Sequence, residues 1–243
     1  MKKLVTVLAV LVMGLLLVSC GPKEATATGY GIAHQIYVGE VELTIDADGV
    51  VTAAAIEEYY LPFNAAVIET PAEGATDVVL GNSHGVKSFA KYFKVGDVLF
   101  TATEGAREDD VVVGMPTYAA ADGTDLLDWV AIEANAKLYV EGTQDGTVFI
   151  ANADGTKHAT YPTPEGDQWT KSGTGYGGDR WDWAGQMAEI TSVLVGSKVS
   201  ATYTMNDDGM WVVDTVVSGA TLVDFDQYYK VAMRAYANAK AQQ

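Results

Sequence analysis

The sequence predicts an α+β fold, antiparallel sheet with packed helices, closing on a C-terminal amphipathic helix. Three observations predict it. Apolar residues make up 49% of the 243-residue chain and charged residues 19%, enough for a hydrophobic core, while 25 Gly, 13 Tyr and 5 Trp favour strands and turns over a helical bundle. Val41, Leu43 and Ile45 alternate with Glu42, Thr44 and Asp46 before the turn Ala47-Asp48-Gly49, the pattern of a β-hairpin that returns through Val50 to Glu58. Leu222, Phe225, Tyr229, Met233 and Tyr236 recur at steps of three and four, which puts them on one face of a helix running from Leu222 to Lys240.

The elements follow in order. Met1-Lys2-Lys3, the apolar run Leu4 to Val18 and the cysteine at Cys20 read as an export signal over residues 1–19. The apolar run is shorter than the roughly 20 residues that a spanning helix needs. The leader resembles a bacterial lipoprotein signal, which implies cleavage before Cys20 and lipid such as palmitate on that residue. Residues 20–28 then form the lipidated cysteine and a small polar tether, and 29–243 form the folded part.

Asp77 to Leu80 is a short strand, Val86 to Phe93 carries apolar residues at helical spacing, and Val98 to Ala102 is again strand-like. Asp122-Gly123, Asp145-Gly146 and Asp154-Gly155 read as hairpin turns around regular elements at Ala131 to Val140 and Thr147 to Ala151. Tyr161 to Asp182, dense in Pro, Gly and Trp, is a long loop. A helix over Ala184 to Val193 follows, then strands at Val199 to Met205 and Met210 to Val217 around Asp208-Gly209. Thr221 is the expected N-cap of the last helix, with Asp224 three residues on. Gly29-Tyr30-Gly31 recurs as Gly175-Tyr176-Gly177 and Val95-Gly96 as Val195-Gly196. The two offsets disagree, which excludes a uniform repeat and leaves two related lobes, 29–130 and 131–243, as an open alternative.

Charge and cysteine content narrow the function. Fifteen Lys and Arg stand against 32 Asp and Glu, a net charge of −17, so the chain repels nucleic acid and anionic headgroups. Cys20 is the only cysteine, which leaves the folded part without a disulfide, a thiolate nucleophile or a cysteine metal site. An exported domain also meets little free nucleotide, which favours a tightly held cofactor over dissociable NAD or ATP.

Four motifs are candidates for chemistry. Gly81-Asn82-Ser83-His84-Gly85 fits G-x-S-x-G, and His158 is the downstream histidine open to a general-base role. Only a tether and a hairpin precede it, where a hydrolase elbow needs several parallel strands, so a helix N-terminal turn is the preferred reading. Gly173-Thr174-Gly175-Tyr176-Gly177-Gly178 has the form G-x-G-x-x-G but lacks a preceding buried strand, and reads as a glycine loop. Asp46-Ala47-Asp48-Gly49 and Asn206-Asp207-Asp208-Gly209 lack EF-hand ligand spacing and read as hairpin turns, while His34, His84 and His158 have no metal-ligand spacing. The fourth is Ser218-Gly219-Ala220-Thr221 ahead of the last helix. Thr221 as a plain helix cap is one reading. The other is a hydroxyl that carries an esterified phosphate where unpaired backbone N–H groups and the helix dipole favour negative charge.

Ser218-Gly219-Ala220-Thr221, preceded by Asp214 and an apolar run and followed by the amphipathic helix, resembles the FMN-binding domain family. Gly29-Tyr30-Gly31 and the hairpin after it are similar to the way such domains open. The family includes flavin subunits of the sodium-pumping NADH:quinone reductase and of its ferredoxin-linked relative. Together with the Cys20 leader, the ending also resembles spirochaete membrane-immunogen lipoproteins. The resemblance implies FMN joined through a phosphoester to Thr221 by a flavin transferase, with Ser218, Gly219 and Ala220 as surrounding motif and Asp214 as the acidic residue the transferase recognises. Asp214 lies seven positions before Thr221, where the family places its acidic residue six before. The expected protein is an electron carrier at the cell envelope, facing periplasm or exterior, with a redox partner that the sequence does not name. Trp169, Tyr176, Trp181 and Trp183 are candidates to stack on the flavin ring, with packing of the long loop the more common use of such residues. The alternative is a binding or surface-antigen lipoprotein on the same fold without flavin.

Overall fold

The computed structural model describes residues 21–243 except 179–181, 200–202, 209, 214–215 and 218–223. It is an α+β fold in which every sheet is antiparallel. Strands β1 (Ala25–Ala33), β2 (Tyr37–Ile45) and β3 (Val51–Tyr60) form a three-stranded meander. The expected hairpin is its β2–β3 arm, and its turn is built by Asp46, whose Oδ1 accepts from the backbone N–H groups of Asp48 and Val50 at 2.9 and 2.8 Å. That bond pattern closes the turn within itself. Asn206 repeats the arrangement towards Asp208 and Met210.

The meander separates two apolar clusters, because successive side chains of a strand face opposite ways. Val41, Leu43 and Ile45 face the C-terminal helix α6 (Phe225–Lys240), which lies on β1 and β2 and buries Phe225, Tyr228, Tyr229, Val231, Ala232 and Ala235. Helix α5 (Trp183–Leu194) and a small sheet of β13 (Tyr203–Met205), β14 (Trp211–Val213) and β15 (Val216–Val217) complete this side. Gly29 is required here. A Cβ on it would stand 2.4 Å from Ala235 N and 2.5 Å from Val231 O, so its absence lets α6 rest directly on β1.

Val38 and Tyr59 face the other cluster. It is built by α1 (Pro62–Ala65), β4 (Val67–Ile68), β5 (Val78–Asn82), β6 (Val86–Ala90), β7 (Tyr92–Val95), β8 (Val98–Thr103), β11 (Thr117–Ala119), α2 (Leu126–Ala131), α3 (Glu133–Asp145) and β12 (Val148–Ile150). Strands run β4-β6-β5 in one sheet and β11-β8-β7-β12 in another, and β9 (Arg107–Glu108) pairs with β10 (Val111–Val112) in a small ribbon. Phe93 sits at the centre, against Tyr118, Tyr139 and Trp169 at ring separations of 6.4 Å.

Several expectations are corrected. Val86 to Phe93 is not a helix but β6 and the start of β7, with a corner at Lys91. Phe89 and Phe93 are buried from separate strands, and burial of Ala90 at the corner shifts the alternation so that the spacing imitates a helix. Asp122-Gly123 is the expected hairpin turn, closed by Ala120 N to Thr124 O at 2.9 Å and an antiparallel bridge between Ala119 and Asp125, whereas Asp145-Gly146 instead ends α3 with Gly146 at φ 78°, a left-handed cap that glycine adopts without strain. The tether is shorter than expected, because Ala25 to Thr28 already pair with Ile45 to Glu42. Met210 to Val217 holds two strands that pair with each other, not one. Helix α6 starts at Phe225 with Asp224 at its N-cap, three residues beyond the expected cap at Thr221. Within Tyr161 to Asp182, a 3-10 turn (Gly166–Trp169) and the short helix α4 (Lys171–Thr174) interrupt the loop.

Candidate functional site

The strongest site is built around two charges that the sequence did not single out. Glu58, near the end of β3, and Lys171, the first residue of α4, are both 0% exposed and stand 2.6 Å apart, Oε2 to Nζ. Burying such charges is costly unless they are paired and hydrogen-bonded. Here the pairing is made and Glu58 is hydrogen-bonded through Oε1, while its Oε2 faces the ammonium without a further hydrogen bond. Glu58 Oε1 accepts from Trp183 Nε1 at 2.7 Å and from the Tyr228 hydroxyl, so one carboxylate ties together β3, α4, α5 and α6. Lys171 also lies 3.8 Å from the Tyr37 ring centroid and 4.5 Å from that of Tyr176, two cation–π contacts. Burial pushes the Lys171 ammonium below its ordinary range, while Glu58 opposes the shift. Burial likewise drives the Tyr37 and Tyr228 hydroxyls far above theirs, so both remain neutral donors.

Local structure explains how Lys171 arrives there. The 3-10 turn buries Trp169 in the central cluster, and Thr170 bridges to Tyr59 on β3, which brings the next residue against Glu58. The Thr170 side chain then caps α4 by accepting from Gly173 N at 3.0 Å. Gly175, Gly177 and Gly178, all at positive φ, turn the chain so that Tyr176 folds back over Lys171. This is where the G-x-G-x-x-G motif lies, behind a 3-10 turn and not a strand, as a glycine loop.

In front of the pair is a cavity of about 440 Å³, lined by His34, Ile36, Tyr37, Met115, Tyr176 and Trp183 among others. Its rim includes the β1–β2 turn, where His34 and Gln35 hold left-handed φ values of 45° and 63°. Consecutive non-glycine residues in that region store strain. Contacts to α6 hold the turn in place: Gln35 N donates to Gln227 Oε1 at 2.8 Å and Gln35 Nε2 to Asp224 Oδ1 at 3.2 Å. Lys171 Nζ lies 3.4 Å from His34 Nδ1, while His34 Nε2 is 3.9 Å from Asp224 Oδ2. Burial, then the Lys171 charge, hold the His34 imidazole below its usual pKa of 6.5.

The sequence candidates fall variously around this site. Tyr176 and Trp183 line the cavity, whereas Trp169 is 2% exposed and packed against Phe93 and Tyr139, which removes it from the expected stacking group. Trp181 lies outside the described residues, as do the leader 1–19, Cys20, Asp214, Ser218, Gly219, Ala220 and Thr221. Ser83 and His84 occupy the β5–β6 hairpin turn, so the G-x-S-x-G stretch leads from strand to strand and is neither an elbow nor a helix N-terminus. Gly81 serves packing: a Cβ there would stand 2.3 Å from Pro116 Cδ. His158 is committed elsewhere. Its Nδ1 accepts from the N–H groups of Thr160 and Tyr161 at 3.2 and 2.9 Å, its Nε2 meets Asp77 Oδ2 at 3.0 Å, and its ring stacks on Tyr161. With both nitrogens engaged it has no free base for a serine. Among the described residues no group of three His, Cys, Asp or Glu side chains is placed to hold a metal, and no helix is long and apolar enough to cross a membrane.

Glu58, Lys171, His34, Tyr37 and Tyr228 carry no motif. The visible trace is the run Glu57-Glu58-Tyr59-Tyr60 at the end of an otherwise alternating strand, where a second consecutive carboxylate must face the core side. Compared with known proteins, the chain matches no family model, no curated protein and no solved structure.

Proposed function

We propose that the protein is an exported lipoprotein, anchored through lipid on Cys20, that carries FMN on Thr221 through a phosphoester bond and relays electrons at the cell envelope. One observation supports this reading beyond the motif. Asp224, three residues after Thr221 in the sequence, is hydrogen-bonded to Gln35 at the rim of an aromatic cavity. A cavity of about 440 Å³ is of the size that small-molecule sites occupy, and its Tyr37, Tyr176 and Trp183 side chains suit a planar ring. FMN supplies one- and two-electron transfer when bound. The residues of this chain supply the rest: Asp214 as the acidic residue for a flavin transferase, Ser218, Gly219 and Ala220 as the motif around the acceptor, Tyr176 and Trp183 as faces for the ring. The acidic surface disfavours added negative charge on the ring and so lowers its potential.

Co-expression of the full chain with a flavin transferase tests the reading. Intact mass is expected to rise by one FMN less water, with yellow absorbance, and Thr221→Ala is expected to abolish both. An unmodified chain, under conditions that label a known flavinylated protein, overturns covalent attachment. The seven-residue spacing of Asp214 keeps one second reading in play, a binding or surface-antigen lipoprotein on the same fold without flavin.

A further inference from the structure

Among the described residues, His34 Nε2 at the cavity has no acceptor within hydrogen-bond range. An ammonium has no lone pair, so at 3.4 Å Lys171 Nζ can only donate to His34 Nδ1, and a neutral imidazole then carries its proton on Nε2. Burial and the Lys171 charge favour that neutral state, whereas Glu58 and Asp224 pull towards protonation and are outweighed. Lys171 on α4 disfavours a second positive charge, Glu58 on β3 balances Lys171, and the Tyr37 ring on β2 lies 5.5 Å away. Asp224, at the start of α6, is 3.9 Å from Nε2, beyond hydrogen-bond range. The His34 side chain is 38% exposed and lines the cavity beside Tyr176 and Trp183.

We infer that the cavity seats a planar aromatic ring bearing a carbonyl acceptor, that His34 Nε2–H is the donor to that carbonyl, and that Lys171 is the residue positioning His34. The stacking faces select a planar ring, the mutually neutralised Lys171–Glu58 pair gives no net charge to attract an anion, and the His34 donor calls for an acceptor edge. This rests on the cavity as a ring site, not on covalent attachment. A tethered isoalloxazine and a free quinone share the chemistry.

The test uses the full chain in detergent with two soluble probes, riboflavin, which has no phosphate to esterify, and 1,4-naphthoquinone. Each is expected to bind once per chain, with affinity at least tenfold lower in His34→Phe and in Tyr176→Ala. Lys171→Met alone strands the Glu58 charge and risks unfolding, so the positioning role is read in the double variant Lys171→Met/Glu58→Gln. There, ¹⁵N NMR of His34 is expected to change from the Nε2–H tautomer of the wild type to a mixture, which loss of packing alone does not require. Absence of binding by both probes, undiminished affinity in His34→Phe, or a wild-type His34 protonated on Nδ1 overturns the inference. The sources separate cleanly. If chain flavinylated at Thr221 no longer binds riboflavin, the tethered ring fills the seat; if it binds as before, the seat serves a free ring. Riboflavin binding without any mass increment removes the covalent reading and leaves this one standing.

Discussion

Replacing Lys171 with Met is the most informative perturbation of the fold. The variant keeps a side chain of similar length and removes the ammonium 2.6 Å from Glu58. The carboxylate then remains 0% exposed, with Trp183 and Tyr228 still donating but no counter-charge. Breaking a fully buried pair in this way costs roughly 3–5 kcal/mol. For a chain of this size each kcal/mol lowers Tm by about 2–4 °C, so a fall of about 6–20 °C is expected. The double variant Lys171→Met/Glu58→Gln carries one more change yet is expected to be more stable than Lys171→Met. The amide that replaces the carboxylate retains an oxygen for Trp183 and Tyr228, and the residual cost is its NH₂ group lacking a partner, about 1–3 kcal/mol. Thermal melts followed by circular dichroism at pH 7 measure both. A double variant less stable than Lys171→Met, or a single variant within about 1 kcal/mol of wild type, refutes the argument that charge pairing holds this centre together.

Other outcomes follow from the same geometry. Gly29→Ala forces α6 away from β1 and is expected to cost about 1–3 kcal/mol in urea unfolding, whereas a neutral result contradicts the close approach at Ala235. Asp77 is raised by burial but held below its ordinary 3.8 by hydrogen bonds from His158 and Tyr161. A carboxyl lowered in the folded state stabilises above its unfolded pKa and loses that contribution as the pH falls through the folded value. The Tm gap between wild type and Asp77→Asn is therefore expected to shrink from pH 7 to about pH 2.5, and a constant gap counts against it. Ser83 is expected to resist a fluorophosphonate probe, and its labelling would restore the hydrolase reading that the β5–β6 turn argues against.

What was legible in the sequence was what depends on local pattern. The β2–β3 hairpin, helix α5 and the terminal helix follow from short-range alternation and helical spacing, and each forms where the spacing puts it to within a few residues. Val86 to Phe93 misled because a corner between two strands imitates a helical period, a feature that only the packing of Ala90 and Phe93 against the core reveals. The charged centre was illegible for another reason. Lys171 sits in a polar, glycine-rich loop and reads as a surface lysine, and its burial depends on a partner far earlier in the chain, Glu58, and on Tyr176, which folds back over it. Of the aromatic group, Tyr176 and Trp183 reach the cavity, while Trp169 was taken by the core because it has neighbours on α3 and β7 that no local pattern displays.

The seating of α6 on β1 has a consequence for how the chain acquires its shape. Asn238 Nδ2 donates to Thr28 O, and Gln243 Nε2 to Lys23 O, across 210 and 220 residues of sequence. Strand β1 therefore waits for α6, made about 200 residues later, before its apolar face is covered. Long-range closure of this kind slows folding and prolongs the exposure of strand edges. Removal of residues 225–243 would do more than shorten the chain, because Val41, Leu43 and Ile45 would lose their cover and the N-terminal meander its reason to be buried. The meander is committed to its buried place only once α6 has been made.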